Sequence, residues 1–310
     1  MNPSECTSSI EKNISLVIRG KANAVKLVVA AVVSGGHVLL EDVPGTGKTT
    51  LAKALALSIL GDFRRVQCTP DLMPADITGS NYYRPQDGAF VFHEGPIFTN
   101  VMLADEINRT SPRTQSALLE AMSESQVTND GVRRALPNPF IVIATQNSTD
   151  FHGTYPLPEA QLDRFAVQVS LGYPTMDEER AILSEHASCE PIEGLRGVVT
   201  CDEVVQVQSE ARNVKIDESV SDYLLKLVHA TRKDQRLRLP VSPRGTLALY
   251  RMSQAWALIQ GRNFVTPDDI RMLAVPVLAH RVVIDAKTKY GGVNASSCIS
   301  EALNSVDVPK

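Results

Sequence analysis

The chain lacks an apolar run that could cross a bilayer. The longest, Leu27 to Val33, is far short of the roughly 20 residues that a spanning helix needs. It begins Met1-Asn2-Pro3-Ser4-Glu5, with no basic start leading into an apolar core, so no secretory leader is expected. Cysteine is sparse. The five residues (Cys6, Cys68, Cys189, Cys201 and Cys298) are odd in number and scattered, without close pairs. That pattern argues against a disulfide framework and a zinc site, and points to a reducing, cytoplasmic setting. The six histidines (37, 93, 152, 186, 229 and 280) show no metal-ligand spacing and read as structural or surface groups. Tryptophan occurs once, at Trp256, within the expected core of the C-terminal part. A charge surplus is also missing: the net charge of −4 gives no global attraction to nucleic acid. One basic cluster, Arg232, Lys233, Arg236 and Arg238, lacks the interleaved aromatics that stack on bases, and reads as a solvated loop. There is no internal repeat and no low-complexity segment.

What is present starts with the stretch Asp42-Val43-Pro44-Gly45-Thr46-Gly47-Lys48-Thr49. A β-run, His37 to Leu40, precedes it, and a helical run from Thr50 to Leu60 follows. Strand, glycine-rich turn and helix in that order form a phosphate site. The glycines let backbone N–H groups curl around oxygens, and the helix aims its unpaired N–H groups and positive dipole end at the same anion. Lys48 would reach the β- and γ-phosphates, and the Thr49 hydroxyl would ligate Mg²⁺. The usual first glycine is replaced by Asp42, whose carboxylate must then point away from the phosphates.

A helix is expected over Lys21 to Ser34, ended by Gly35-Gly36, whereas residues 1–20 carry few structural signals. A second strand is expected at Arg64 to Cys68. The Pro-, Gly- and Tyr-rich stretch Thr69 to Pro96 holds a hairpin, Ser80 to Tyr83 with Ala89 to His93 around Gln86-Asp87-Gly88. The apolar run Asn100 to Ala104 ends in Asp105-Glu106. Ser111 then caps a helix with Pro112 at its first position, and Leu118, Ala121 and Met122 share one face. A second hairpin fits Gln126 to Leu136, turning at Asn129-Asp130-Gly131. Further strands are Phe140 to Ala144, ending in Thr145-Gln146-Asn147, and Phe165 to Leu171. Strands alternating with helices predict a parallel α/β sheet. Beyond Tyr173-Pro174 only helices are expected, near 177–187, 202–213, 217–232, 243–260 and 267–283. The domains are therefore set at 1–173 (α/β) and 174–310 (helical).

In open α/β sheets, ligands sit outside the carboxyl ends of the strands. Three of the expected strand ends carry residues suited to a nucleotide. Pro44, Gly45, Thr46, Gly47, Lys48, Thr49 and Thr50 would cradle phosphates, and Asp105 with Thr49 would hold Mg²⁺. Glu106 would polarise the attacking water, and Asn147 would orient it.

These stretches resemble the MoxR family of AAA+ ATPases. Asp42 to Thr49 looks like a Walker A loop and Leu103-Ala104-Asp105-Glu106 like a Walker B strand. The run Asp105-Glu106-Ile107-Asn108-Arg109 continues to Gln115-Ser116-Ala117-Leu118-Leu119-Glu120-Ala121-Met122 in close likeness to the family. Gly95-Pro96-Ile97-Phe98, Ala144-Thr145-Gln146-Asn147 and Leu157 to Phe165 match in the family's order, over roughly residues 17 to 285. The resemblance implies a five-stranded parallel-sheet P-loop AAA+ domain with β-hairpin insertions, followed by an all-helical lid, assembled as a homo-hexameric ring. It implies ATP as ligand, with Asn147 at the sensor 1 position. Arg164 falls in the arginine-finger segment that reaches a neighbouring subunit's γ-phosphate. From the residues alone, a salt bridge of Arg164 with Asp163 or Glu159 is the simpler reading. Arg244, after Ser242-Pro243, matches the sensor 2 arginine, and Val17 and Ile18 lie where the family wraps adenine. Chaperone-like remodelling of a client or adaptor protein, such as one bearing a von Willebrand factor A-type domain, is the implied work. Two other readings fit the residues less well: a nucleotide-gated scaffold with little turnover, and a DNA-handling motor.

Overall fold

The computed structural model describes residues 2–86, 88–147, 154–186 and 190–309. Cys189, His152 and Asp87 of the first expected turn lie outside them, as does the His186 side chain.

Five parallel strands form the central sheet: β1 (His37–Glu41), β2 (Phe63–Gln67), β5 (Val101–Asp105), β8 (Ile141–Gln146) and β9 (Phe165–Val169), in the order β2-β5-β8-β1-β9. β1, β5 and β8 are nearly wholly buried, as their unbroken apolar runs require for strands covered on both faces. Two antiparallel hairpins interrupt the alternation, β3 (Gly79–Arg84) with β4 (Ala89–Glu94) and β6 (Gln126–Asn129) with β7 (Val132–Ala135). The second turns at Asp130-Gly131, both with positive φ, as a two-residue hairpin loop demands. At the base of the first hairpin, a Cβ on Gly95 would lie 2.2 Å from the Ile77 carbonyl oxygen, so no larger residue fits. The hairpins touch each other: Asn129 Nδ2 donates to Gly79 O (3.0 Å) and Arg134 lies over the Phe92 ring.

The helices are α1 (Pro3–Ser15), α2 (Ala22–Val33), α3 (Lys48–Ser58), α4 (Pro74–Thr78), α5 (Pro112–Glu124), α6 (Glu159–Leu162), α7 (Met176–His186), α8 (Cys201–Ala211), α9 (Glu218–Lys233), α10 (Pro243–Ile259), α11 (Pro267–Leu278), α12 (Ala286–Tyr290) and α13 (Ala295–Ser305). Several findings depart from the sequence reading: α12 and α13 lie beyond the last expected helix, and the helix expected over 267–283 ends at Leu278. The helical part also carries a small antiparallel ribbon, β10 (Leu237–Leu239) with β11 (Val283–Ile284). And the N-terminal stretch, read as featureless, is α1. Asn2 caps it, Pro3 opens it, and Cys6, Ile10 and Ile14 form a buried stripe at i, i+4 spacing. Each isoleucine buried this way contributes roughly 1.5–3 kcal/mol. α1 packs on α2 and α3 of the sheet half and on α8 and α10 of the helical half. Its buried Asn13 amide donates both to Ser58 Oγ and to Arg196 O, each at 2.9 Å. One continuous apolar cluster therefore runs from the strands through α1 and α2 into α8, α9, α10, α11 and α13.

His37 is buried at the start of β1. Its Nε2 lies 3.0 Å from Met122 O, and its Nδ1 accepts the Val142 N–H at 3.0 Å. That pairing requires the neutral ring, and burial lowers its pKa from the ordinary value near 6.5 to about 4. Because the folded pKa lies below the unfolded one, the unfolded chain takes up the proton first as pH falls. The contribution of His37 is complete above about pH 6.5 and is lost progressively towards pH 4, by up to roughly 3 kcal/mol. Urea denaturation across this range is expected to show that slope. His37→Asn loses its share and keeps that of His280, which burial, followed by the adjacent Arg281 charge, holds neutral as well.

Candidate active site

Gly47, with φ of 90°, is the N-cap of α3 and turns the chain so that Lys48, Thr49 and Thr50 open the helix. Only glycine adopts this conformation without strain, and the turn directs the free N–H groups of α3 outward. The Lys48 ammonium donates to Asp42 O (2.9 Å) and Val43 O (3.0 Å), lying across the loop. Asp42 does point away. Its Oδ2 accepts from Leu171 N (2.6 Å) and Gly172 N (2.7 Å), and its Oδ1 from Val43 N (3.0 Å). The residue that replaces the first glycine is thus a buried brace between the phosphate loop and the exit of β9.

Asp105 and Glu106 end β5 beside this loop. Thr145, buried at the end of β8, serves both: its hydroxyl donates to Asp105 Oδ1 at 2.6 Å and accepts the Glu106 N–H at 2.7 Å. Glu106 is held at φ 58°, a left-handed conformation costly for a residue with a side chain, which swings its carboxylate off the strand line. Its Oε2 accepts from Gln67 Nε2 (3.1 Å) and Arg109 Nη1 (2.9 Å). The following turn is pinned by buried Gln115, whose amide donates to the carbonyls of Ile107, Thr110 and Tyr155. Behind the strand end, burial, and then the Asp105 and Glu106 charges, push the Cys68 thiol up to about 12, so it stays protonated.

Pro44, Gly45, Gly47, Lys48, Thr49, Thr50, Asp105, Glu106 and Asn147 all line one cleft of about 390 Å³. Thr46 is in the loop itself, its hydroxyl donating to Val43 O. Ile18 is buried beside Gly47, with Val17 partly buried next to it. Two lining residues went unassigned in the sequence, Arg65 and Thr145. Arg65 donates to Asp105 Oδ2 from Nη2 (2.6 Å) and Nε (3.1 Å). Thr145 could have been singled out only by its place in the Ala144-to-Asn147 match. Arg65 belongs to an exposed basic pair that carries no signal of its own.

Arg164 and Arg244 are elsewhere. Both line a second cleft, of about 410 Å³, with Gly36 and His37 at the start of β1, Ala166 near the start of β9, and Arg251. This is the amino-terminal end of the strands, separated from the phosphate loop by the five residues of β1, roughly 16 Å. Arg244 thus stands beside Arg164 and not over the phosphate loop of its own chain. The acids that could have explained Arg164 are already paired: Asp163 with Arg281 (3.0 Å) and Glu159 with Arg238 (2.8 Å). Arg164 Nε is buried and makes no hydrogen bond. Burial, and then the nearby Arg244 charge, lower its pKa. The basic loop is largely consumed internally: Arg236 pairs with Asp234 and Glu301, and Arg232 donates to Val241 O.

The sequence matches the model of the ATPase family associated with various cellular activities over residues 37–167, and an AAA lid domain over 229–297. Over 306 residues it is 36% identical to Chaperone MoxR1 of Mycobacterium tuberculosis, spanning 96% of this chain and 81% of that one. The chain belongs to the MoxR family of AAA+ ATPases. Protein MoxR of Paracoccus denitrificans is 30% identical, covering 88% of this chain and 87% of the relative. A crystal structure of a candidate ATPase from Cytophaga hutchinsonii superposes with a TM-score of 0.92 at 33% identity, over 99% of this chain and 96% of that one. The expected fold, an α/β AAA domain followed by a helical lid, is the one found, and the chain is a nucleotide-binding ATPase. Among the described residues no helix is long and apolar enough to cross a membrane.

Proposed function

We propose that this MoxR-family ATPase works as a homo-oligomeric ring, a hexamer, hydrolysing ATP at sites shared between neighbouring subunits. The observation that carries this reading is the separation of the parts. Phosphate loop, Asp105, Glu106 and Asn147 share one cleft, while Arg164 and Arg244 line another at the amino-terminal end of the strands. Head-to-tail packing would bring the arginine cleft of one subunit to the phosphates of the next, and such heterologous contacts close into rings. Val17 and Ile18 would flank the adenine. Lys48 and the N–H groups of α3 would bind the β- and γ-phosphates, and Glu106, with Asn147, would orient a water and accept its proton as it attacks the γ-phosphorus. Arg164 and Arg244 would neutralise the charge that develops on the γ-phosphate.

The donor set suits Mg²⁺. A threonine hydroxyl and one carboxylate, Thr49 and Asp105, face the same cleft, and no cluster of three acidic, histidine or cysteine side chains occurs among the described residues. A hard cation held by few protein oxygens plus substrate phosphates is the usual arrangement for this ion, which screens phosphate charge when bound. Thr145 and Arg65 hold the Asp105 carboxylate in place.

Hydrolysis would drive remodelling or maturation of a client protein in the cytoplasm. The likeness to a protein named a chaperone supports this, and the family resemblance points to adaptors with a von Willebrand factor A-type domain. The hairpins, with exposed Tyr82, Tyr83 and Phe90, would face that partner. The working domains are 1–173 and 174–310. The test is steady-state ATP hydrolysis against protein concentration, with mass photometry on the same samples. Turnover per subunit is expected to rise as higher oligomers appear. A rate independent of concentration and assembly would rule out the shared site, and binding without turnover in assembled rings would favour the nucleotide-gated scaffold.

A further inference from the structure

We propose that Asp163 and Arg281 are positioning residues that lock Arg164 of the α/β half and Arg244 of the lid into one anion-binding unit. The inference rests on the shared-site reading above and specifies how the arginine cleft is built.

One carboxylate spans the junction. Asp163 immediately precedes Arg164 in the chain. Its Oδ1 accepts from Arg281 Nε at 3.0 Å and its Oδ2 from Ser242 Oγ at 2.7 Å. Ser242 is the N-cap of α10, and its Oγ also accepts the Gly245 N–H at 3.0 Å. Arg244 lies in that first turn, two residues on. The start of the arginine-bearing helix is therefore bonded to the residue next to Arg164. Arg281 secures the arrangement from behind. It is only 4% exposed, and it donates to the carbonyls of Phe165, Ala166 and Val277. It thereby ties the start of β9 to the end of α11.

Charge explains why such a tether is needed. Arg244 stands close enough to Arg164 to disfavour the Arg164 charge, both line one cleft, and Asp163 is spent on Arg281. Two like charges held in one cleft separate unless their backbones are fixed, and a bidentate or paired grip on phosphate depends on their spacing. Misplacing a positioned group by about 1 Å can cost on the order of 10²-fold in rate. Arg281 and Ser242 are accepted by different carboxylate oxygens, and asparagine at 163 keeps the shape but turns one of those two acceptors into an NH2 donor.

The experiment uses full-length chain in mixed rings. Asp163→Asn alone is expected to lower kcat on the order of 10- to 100-fold, with KM for ATP within about twofold, since the phosphate cleft of the same chain is untouched. Ser242→Ala, which leaves Arg281 in place, lowers kcat less, and it carries the test if Asp163→Asn does not fold. Mixing either variant with an equal amount of Glu106→Gln, whose arginine cleft is intact, restores each variant subunit to about half the wild-type rate. That is the chance that its neighbour supplies the sound cleft in a head-to-tail ring. Arg164→Ala mixed with Glu106→Gln is the control for the shared site itself. If that control is not restored, the shared-site reading fails and this inference falls with it. If the control is restored but Asp163→Asn and Ser242→Ala are not, the residues act within their own subunit and the positioning role is overturned. Near-wild-type kcat in Asp163→Asn overturns it as well. Thr200→Ala removes the cap of another lid helix, α8, and is expected to lower the melting temperature without changing kcat. An equal loss of kcat in that variant means that general destabilisation is the cause, and the positioning role is again overturned.

Discussion

Arg164→Ala is expected to lower kcat by about 10³- to 10⁵-fold, the range for an arginine that reaches across to a transferring phosphate. ATP binding by the same chain should be nearly unchanged, because Arg164 lies at the other end of the strands from the cleft that holds Lys48 and Thr49. The two quantities separate by measuring steady-state hydrolysis beside titration with a fluorescent ATP analogue. Asp163 and Glu159, the acids that would have given Arg164 a structural role, are paired with Arg281 and Arg238. Alanine at 164 therefore breaks no ion pair with either acid, and the melting temperature should move little. Retention of a tenth or more of the wild-type rate, in rings of wild-type size, would remove Arg164 from the reaction.

The second large effect is at Glu106. Glu106→Gln is expected to lower kcat by about 10²- to 10⁴-fold while leaving ATP bound, because the amide cannot take the proton of the attacking water. The side chain is well prepared for that task. The left-handed backbone at φ 58° is held by the Thr145 hydroxyl, and the carboxylate is steadied by Gln67 and Arg109. Glutamine preserves the shape of these contacts, so lost rate can be assigned to proton transfer, not to collapse of the turn. A pre-steady-state burst measurement under saturating ATP distinguishes this from slowed product release. A variant that hydrolyses a first equivalent of ATP at the wild-type rate would show that Glu106 acts after the chemical step.

The strands were legible because a parallel sheet covered on both faces writes unbroken apolar runs, as in β5 and β8. The glycine-rich loop was legible because Gly45 and Gly47 take positive φ, where few residue types fit, and the Asp105-Glu106 pair because two carboxylates end an apolar run. The position of Asp42 followed from charge alone: a carboxylate aimed at phosphates would oppose binding, and it is found on the Leu171 and Gly172 N–H groups. Three features were not legible, each for its own reason. α1 does carry a cap and an apolar stripe, but Cys6, Ile10 and Ile14 are spread among polar residues, and their burial depends on partners from both halves. The ribbon β10–β11 pairs segments more than forty residues apart, with only two or three residues in each strand. Arg65, Thr145 and Arg281 gain their roles from neighbours distant in sequence, so that only the assembled sheet tells an ordinary arginine or threonine from a site residue.

The seating of α1 bears on where movement can occur. A helix wedged against both halves, with one unbroken apolar cluster behind it and Asn13 stitched to Ser58 and Arg196, opposes a swing of the lid along the seam that the described residues form. Trp256 marks the same boundary, its ring 5.1 Å from the Lys26 ammonium of α2. Each subunit of the proposed ring then behaves as a stiff tile, and the strokes of the hydrolysis cycle fall on the joints between tiles. The work delivered to a client would be leverage of whole subunits against one another, and the emission of Trp256 should stay steady while that leverage is applied.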